Sequence, residues 1–141
     1  MQNLRYVGNN LFVEKLSIKN ILKKNKTPFY IYSENQIAFN FLKFANTFKK
    51  TDPLICFAAK SNSNLNILRI LGKLGAGADV VSGGELLKAL KAGIRPNKIV
   101  FSGVGKTEEE LKIAINKKIL LINCESCLLY TSPSPRDCRL S

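Results

Sequence analysis

The sequence has no histidine, and it is poor in acidic residues, with 10 against 22 basic ones. Its four cysteines are Cys56, Cys124, Cys127 and Cys138. Cys124 and Cys127 form a C-x-x-C, but no second pair stands at ligand spacing, so no metal site is expected. A redox pair is the remaining reading of that motif, weakened by its place across a junction that looks foreign to the rest. Long apolar runs are missing too: none approaches the roughly 20 residues of a membrane helix. MQNLRYVGNN has neither the basic start nor the apolar core of a signal peptide. A cytoplasmic location without a membrane partner is the expectation. The shortage of acid gives a formal net charge of +12, which invites nucleic acid as a partner. Against this, 17 of the 22 basic residues are lysine, scattered over every expected helix. A solvated basic surface accounts for them, and no nucleic-acid partner is expected.

What is present is ordinary globular material, 45% apolar and 9% aromatic in 141 residues, enough for one domain or part of one. A short apolar stretch at Leu11 to Val13 precedes Ser17, a helix-like run to about Lys24, and the β-rich string Phe29-Tyr30-Ile31-Tyr32 after Thr27-Pro28. This predicts a small strand, helix, strand leading segment. Ser33 with Gln36 reads as a capping box. Ile37, Phe41, Phe44, Ala45 and Phe48 then keep helical spacing until Asp52-Pro53 breaks it.

A repeat follows. Strands are predicted at Leu54 to Ala59, Ala78 to Val81, Ile99 to Phe101 and Ile119 to Ile122, with helices at Leu65 to Lys73, Glu85 to Ala92 and Glu108 to Asn116. Ser82 with Glu85 and Thr107 with Glu110 carry capping signatures, and Gly75 and Gly93 stand where helices should end. Apolar strands alternating with amphipathic helices indicate βαβ units and a parallel sheet, either open or closed into a (β/α)₈ barrel. Both architectures gather function at the carboxyl ends of the strands. Lys60 to Asn64, Asp79 to Gly84, Ser102 to Lys106 and Asn123 are therefore the segments to read.

Two nucleotide motifs fail there. Phe101-Ser102-Gly103-Val104-Gly105-Lys106-Thr107 has the context of a phosphate-binding loop, but Val100 stands where the first glycine belongs, leaving too short a loop. Gly75 and Gly77 begin a dinucleotide fingerprint, but Val80 replaces its third glycine and the glycines precede a strand. Lys60 is more promising. It follows the most apolar strand and precedes Ser61-Asn62-Ser63-Asn64. An amine held at a strand end above an apolar base loses solvation, a condition for imine formation with an aldehyde cofactor. The plain alternative is a lysine snorkelling into water.

CFAAKSNSN resembles the lysine-bearing segment of the pyridoxal-phosphate decarboxylases that share the alanine-racemase-type barrel. TPFYIYSENQI, GAGADVVSGGELLKALKAGI, KIVFSGVGKTEEEL and LINCES resemble their successive units, so the likeness runs from about Leu11 to Ser126. Within the group the combination is most similar to the diaminopimelate decarboxylases. The resemblance implies a (β/α)₈ TIM barrel, pyridoxal 5'-phosphate as cofactor and decarboxylation of meso-2,6-diaminopimelate to L-lysine. The related alternatives are a basic-amino-acid or carboxynorspermidine-type decarboxylase and a non-catalytic pyridoxal-phosphate barrel protein. Lys60 matches the lysine that carries the cofactor. Asp79 matches an acidic residue facing it, and on sequence alone a strand-end aspartate bonded to backbone amides serves equally. Ser82 is a third cofactor-side position, better explained as a helix cap. Lys106 lies in a matching segment without an assigned role.

A whole barrel takes about 250 residues, so the expectation is an incomplete one of about four strands. Residues 1–28 would belong with a missing C-terminal β domain and residues 29–126 with the cofactor-binding barrel. The complete enzyme would be a homodimer, and the 141-residue chain inactive alone. Residues 127–141, CLLYTSPSPRDCRLS, lack helical period and resemble translated adapter sequence, the alternative being a disordered Ser-Pro tail.

Overall fold

The structure, a computed structural model, describes residues 4–125. The chain divides into two compact units, Met1–Thr47 and Phe48–Ser141. The predicted tail, with Cys127 and Cys138, lies outside the described residues.

The first unit opens with β1 (Leu4–Val7), β2 (Asn10–Val13) and β3 (Leu16–Ser17), an antiparallel sheet in that order. Val7 pairs with Asn10, leaving Gly8-Asn9 as a two-residue turn with Gly8 at φ 57°, the conformation such tight hairpins require. The second turn is Glu14-Lys15, with Glu14 at φ 54°. The sequence reading missed β1, whose four residues are all exposed. Helix α1 is only Ile18–Leu22, shorter than the predicted run to Lys24. Helix α2 (Glu34–Thr47) follows the apolar spacing.

The string Phe29 to Tyr32, predicted as a strand, joins no sheet, and Tyr30 is 91% exposed. β-propensity reports fit to a pleated, paired surface, and no described strand pairs with these residues, so their aromatic content alone cannot make a ladder.

The second unit is the α/β repeat. A parallel sheet runs β4 (Cys56–Ala58), β5 (Gly77–Val80), β6 (Ile99–Phe101) and β7 (Leu121–Ile122), in chain order. Between its strands run α3 (Leu65–Lys73), α4 (Gly83–Lys91) and α5 (Glu108–Asn116). Strand β4 is shorter than predicted, because Ala59–Ser61 tightens into a 3₁₀ turn.

Register sorts the side chains. Ala58 pairs with Asp79, Asp79 with Val100 and Val100 with Leu121, so these four share one face. The other face carries Ala78, Val80, Ile99 and Phe101, all fully buried with Leu68, Leu86, Ala89 and Ala114 of the helices. Each large apolar side chain so buried contributes roughly 1.5–3 kcal/mol. The helices thus cover one side of the sheet, while on the other Asp79 is half-buried and Leu121 exposed.

All three helices end alike. The amide of Ala76 donates to Leu71 O and that of Gly75 to Gly72 O; Ile94 to Ala89 and Gly93 to Leu90 repeat the pattern, as do Ile119 to Ala114 and Lys118 to Ile115. This is the Schellman closure, with Gly75, Gly93 and Lys118 in the left-handed position at φ 97°, 91° and 54°. Ala76, Ile94 and Ile119, the next residues, are buried. Glycine marked two of these exits in the sequence, and lysine hid the third. Among the described residues no helix is long and apolar enough to cross a membrane.

Candidate functional site at the carboxyl edge of the parallel sheet

Strand β4 delivers Ala59 into the core, and Lys60 follows it in the 3₁₀ turn, exposed. Ser61 Oγ donates to Ala58 O at 2.8 Å and the Asn62 amide to Ala59 O at 3.1 Å, which tightens that turn. Asn62 Oδ1 accepts the Asn64 amide, and Asn64 Oδ1 accepts that of Asn66, capping α3. The polar run after Lys60 is therefore a set of turn and cap donors and acceptors. The expectation that Lys60 itself ends the strand as a desolvated amine is corrected: it stands two residues beyond β4, in solvent.

Asp79 lies within β5, opposite Ala58. Its Oδ1 accepts from Ser102 Oγ at 2.6 Å, and Ser102 Oγ in turn accepts from Asn123 Nδ2 at 3.0 Å. Ser102 and Asn123 extend β6 and β7: the Ser102 amide donates to Val80 O at 2.8 Å and the Asn123 amide to Phe101 O at 2.9 Å. Each stands two residues beyond a member of Asp79's face, Val100 and Leu121, so the side chains meet on that face. Strand adjacency and the resemblance pointed to Lys60 as the partner of Asp79; the hydrogen-bonding partner is Ser102. Among the described residues no ion pair joins Lys60 to Asp79. Sequence reading put Ser102 and Asn123 at this edge but gave no signal that they bond each other.

Ser82 caps α4, its Oγ accepting the Glu85 amide at 3.2 Å, while Glu85 Oε2 accepts the Val81 amide at 2.9 Å. The cap reading holds, with the return bond shifted one residue from the usual box.

Lys106 acquires a role. It is buried, its Nζ donates to Asn123 O at 2.7 Å and to Gly103 O, and it lies 5.5 Å from the Phe101 ring centroid. A desolvated ammonium needs its donors used. Two carbonyls and a ring face occupy this one, so the apparent phosphate loop is fastened internally. Gly103, at φ 98°, donates its amide to Glu125 Oε1 at 2.7 Å.

An exposed primary amine just past β4 and a half-buried carboxylate within β5 thus stand on neighbouring strands toward one sheet edge. That donor set fits the aldehyde end of a cofactor bound through an imine, whose positive nitrogen a carboxylate stabilises.

A family model described as "Pyridoxal-dependent decarboxylase, pyridoxal binding domain" matches residues 34–129. Among curated proteins, the chain is 49% identical over 123 residues to a diaminopimelate decarboxylase of Aquifex aeolicus, covering 87% of this chain and 29% of that protein. It is 54% identical over 101 residues to one of Helicobacter pylori, covering 72% and 25%. Among solved structures, the diaminopimelate decarboxylase of M. jannaschii in complex with L-lysine superposes with a TM-score of 0.86 at 35% identity, over 92% of this chain and 31% of that one. The chain therefore spans less than a third of the length of the relatives it matches.

Proposed function

The chain belongs to the pyridoxal-dependent decarboxylases through their pyridoxal-binding domain, and from that membership we propose that it serves the decarboxylation of meso-diaminopimelate to L-lysine. The observation that carries the reading is the placement of Lys60 just past β4, with Asp79 registered opposite Ala58 on the next strand. The parallel sheet β4 to β7 is read as part of a (β/α)₈ barrel, and the complete enzyme as a homodimer in the cytoplasm. The likeness to diaminopimelate decarboxylases at 40–54% identity supports the substrate.

Lys60 Nζ supplies the primary amine through which pyridoxal phosphate is held. When bound, that cofactor provides an electron sink for the pair left on the α-carbon as carbon dioxide departs. Asp79 contributes negative charge on the adjacent strand, favouring a protonated nitrogen at the attachment point. With its nitrogen free, Lys60 Nζ would be a group at this edge able to carry a proton. Ser82 shapes the edge by starting α4. The 141-residue chain alone is proposed to be inactive and to self-associate, because among the described residues α3, α4 and α5 pack one face of the parallel sheet and Leu121 on the other is exposed.

The test is borohydride trapping of pyridoxal phosphate on the full-length protein, with peptide mass spectrometry. The label is expected on Lys60, lost in Lys60→Ala, with turnover of meso-diaminopimelate exceeding that of ornithine or arginine. A label on a different lysine overturns the assignment of Lys60, and preferred turnover of another amino acid overturns the substrate.

A further inference from the structure

We propose that Ser102 and Asn123 are positioning residues for the Asp79 carboxylate, joined to it in a directed hydrogen-bond chain anchored by Lys106. The inference rests on the cofactor reading above and deepens it.

Direction is fixed by donor capacity. Asn123 Nδ2 can only donate, so Ser102 Oγ accepts from it at 3.0 Å and spends its single proton on Asp79 Oδ1 at 2.6 Å. Asn123 is held from two sides: its amide continues the sheet by donating to Phe101 O, and its carbonyl receives the buried Lys106 ammonium at 2.7 Å. Lys106 also closes onto Gly103 O, one residue past Ser102. The chain thus ties the ends of β5, β6 and β7 together at one carboxylate oxygen.

The placement argues for more than packing. These side chains occupy the sheet face opposite the one that α3, α4 and α5 pack to form the buried core. Core stability does not demand a serine or an asparagine there. A carboxylate that must face a cationic nitrogen in one orientation gains from a donor that restricts its rotation, since such groups act only when their own rotamers are locked.

The experiment uses the full-length protein loaded with pyridoxal phosphate and reads the pH midpoint of the bound cofactor's long-wavelength absorbance, with thermal melting recorded beside it. Asp79→Asn is expected to lower the midpoint, because the protonated nitrogen loses its counter-charge. Ser102→Ala and Asn123→Ala should lower it in the same direction by less, and Ser102→Thr should restore it. The double variant of Ser102 and Asn123 should shift it less than the sum of the two single changes, since both act through one bond.

A wild-type midpoint in Ser102→Ala, with Asp79→Asn displaced, overturns the positioning role while leaving the cofactor reading intact. A shift in Ser102→Ala that Ser102→Thr fails to reverse also overturns it. Failure of the wild-type protein to take cofactor on Lys60 sinks the cofactor reading, and this inference falls with it. Should Ser102→Ala not fold, Asn123→Ala and Ser102→Thr carry the same comparison.

Discussion

Glu110, in the first turn of α5, accepts the amide of Gly83, the first residue of α4, through Oε1 at 2.6 Å. Its other oxygen accepts the Thr107 amide at 3.0 Å, while Thr107 Oγ1 accepts the Glu110 amide at 3.3 Å, so the box predicted from the sequence is complete. One carboxylate therefore satisfies donors at the starts of two helices that are separate in sequence. Gly83 has to be small for this, because a Cβ there would stand 2.9 Å from Glu110 Cγ.

These bonds, first from the Thr107 backbone and then from Gly83, hold the Glu110 carboxyl below its ordinary value of 4.5. A depressed folded value means that the contribution is present above the unfolded value and is lost as pH falls through the folded one. Glu110→Ala is expected to cost about 1–2 kcal/mol at neutral pH, the scale of a lost cap plus a lost charge-assisted bond. The difference from wild type should shrink below about pH 4. Urea unfolding at several pH values checks both, and an undiminished difference in acid would contradict the linkage.

Gly77 and Gly84 should respond oppositely to alanine. A Cβ on Gly77 would run into the Lys98 carbonyl oxygen and lie 2.7 Å from Cys56 Sγ. Lys98 closes the 3₁₀ turn that leads into β6, and its backbone cannot yield cheaply, so Gly77→Ala is expected to cost about 1–3 kcal/mol. A Cβ on Gly84 meets only Ser82 Oγ, at 3.9 Å. Gly84 is helical, and Gly84→Ala should stabilise by about 0.5–1 kcal/mol. Paired denaturation curves decide the matter.

Lys118 occupies at φ 54° the position that Gly75 and Gly93 fill in the other two closures. A side chain with Cβ is disfavoured there by about 1 kcal/mol. Lys118→Gly should therefore raise the melting temperature, and Lys118→Val should lower it. A fall on introducing glycine would mean that the lysine makes a compensating interaction.

In the first unit, Glu14 accepts from Ser33 Oγ at 2.5 Å, from Asn35 Nδ2 at 2.9 Å and from the Asn35 amide at 3.1 Å. The Ser33 bond chiefly, with Asn35, lowers its carboxyl from 4.5. Half-buried at the turn between β2 and β3, Glu14 is expected to act locally: Glu14→Ala should speed amide exchange at Asn35 and Gln36. The protection it gives should also fade in acid as pH falls through the lowered value. Unchanged exchange at those amides would show that Ser33, whose Oγ accepts the Gln36 amide at 3.0 Å, starts α2 unaided.

The repeat in the second unit was legible from local signals. Helices α3 and α5 match their predicted limits, and the caps at Ser82 and Thr107 form where the sequence put them, because caps and apolar periodicity act within a few residues of chain. The same reasoning failed at Phe29 to Tyr32, where β-rich composition has no described strand to pair with. It also passed over β1, a short exposed strand made by pairing across Gly8-Asn9.

At the candidate site, the sequence by itself determined which residues gather at the carboxyl edge, since strand order and direction follow from the βα alternation. It singled out Lys60, Asp79 and Ser82 as candidates, and it carried the resemblance that the family match bears out. Only the tertiary structure decided who bonds to whom. The Ser102 bond to Asp79 spans 23 residues and that of Lys106 to Asn123 spans 17. Such contacts depend on register, which turns each side chain to one face or the other of the sheet. No local pattern encodes that choice, because it is fixed by which face the helices bury.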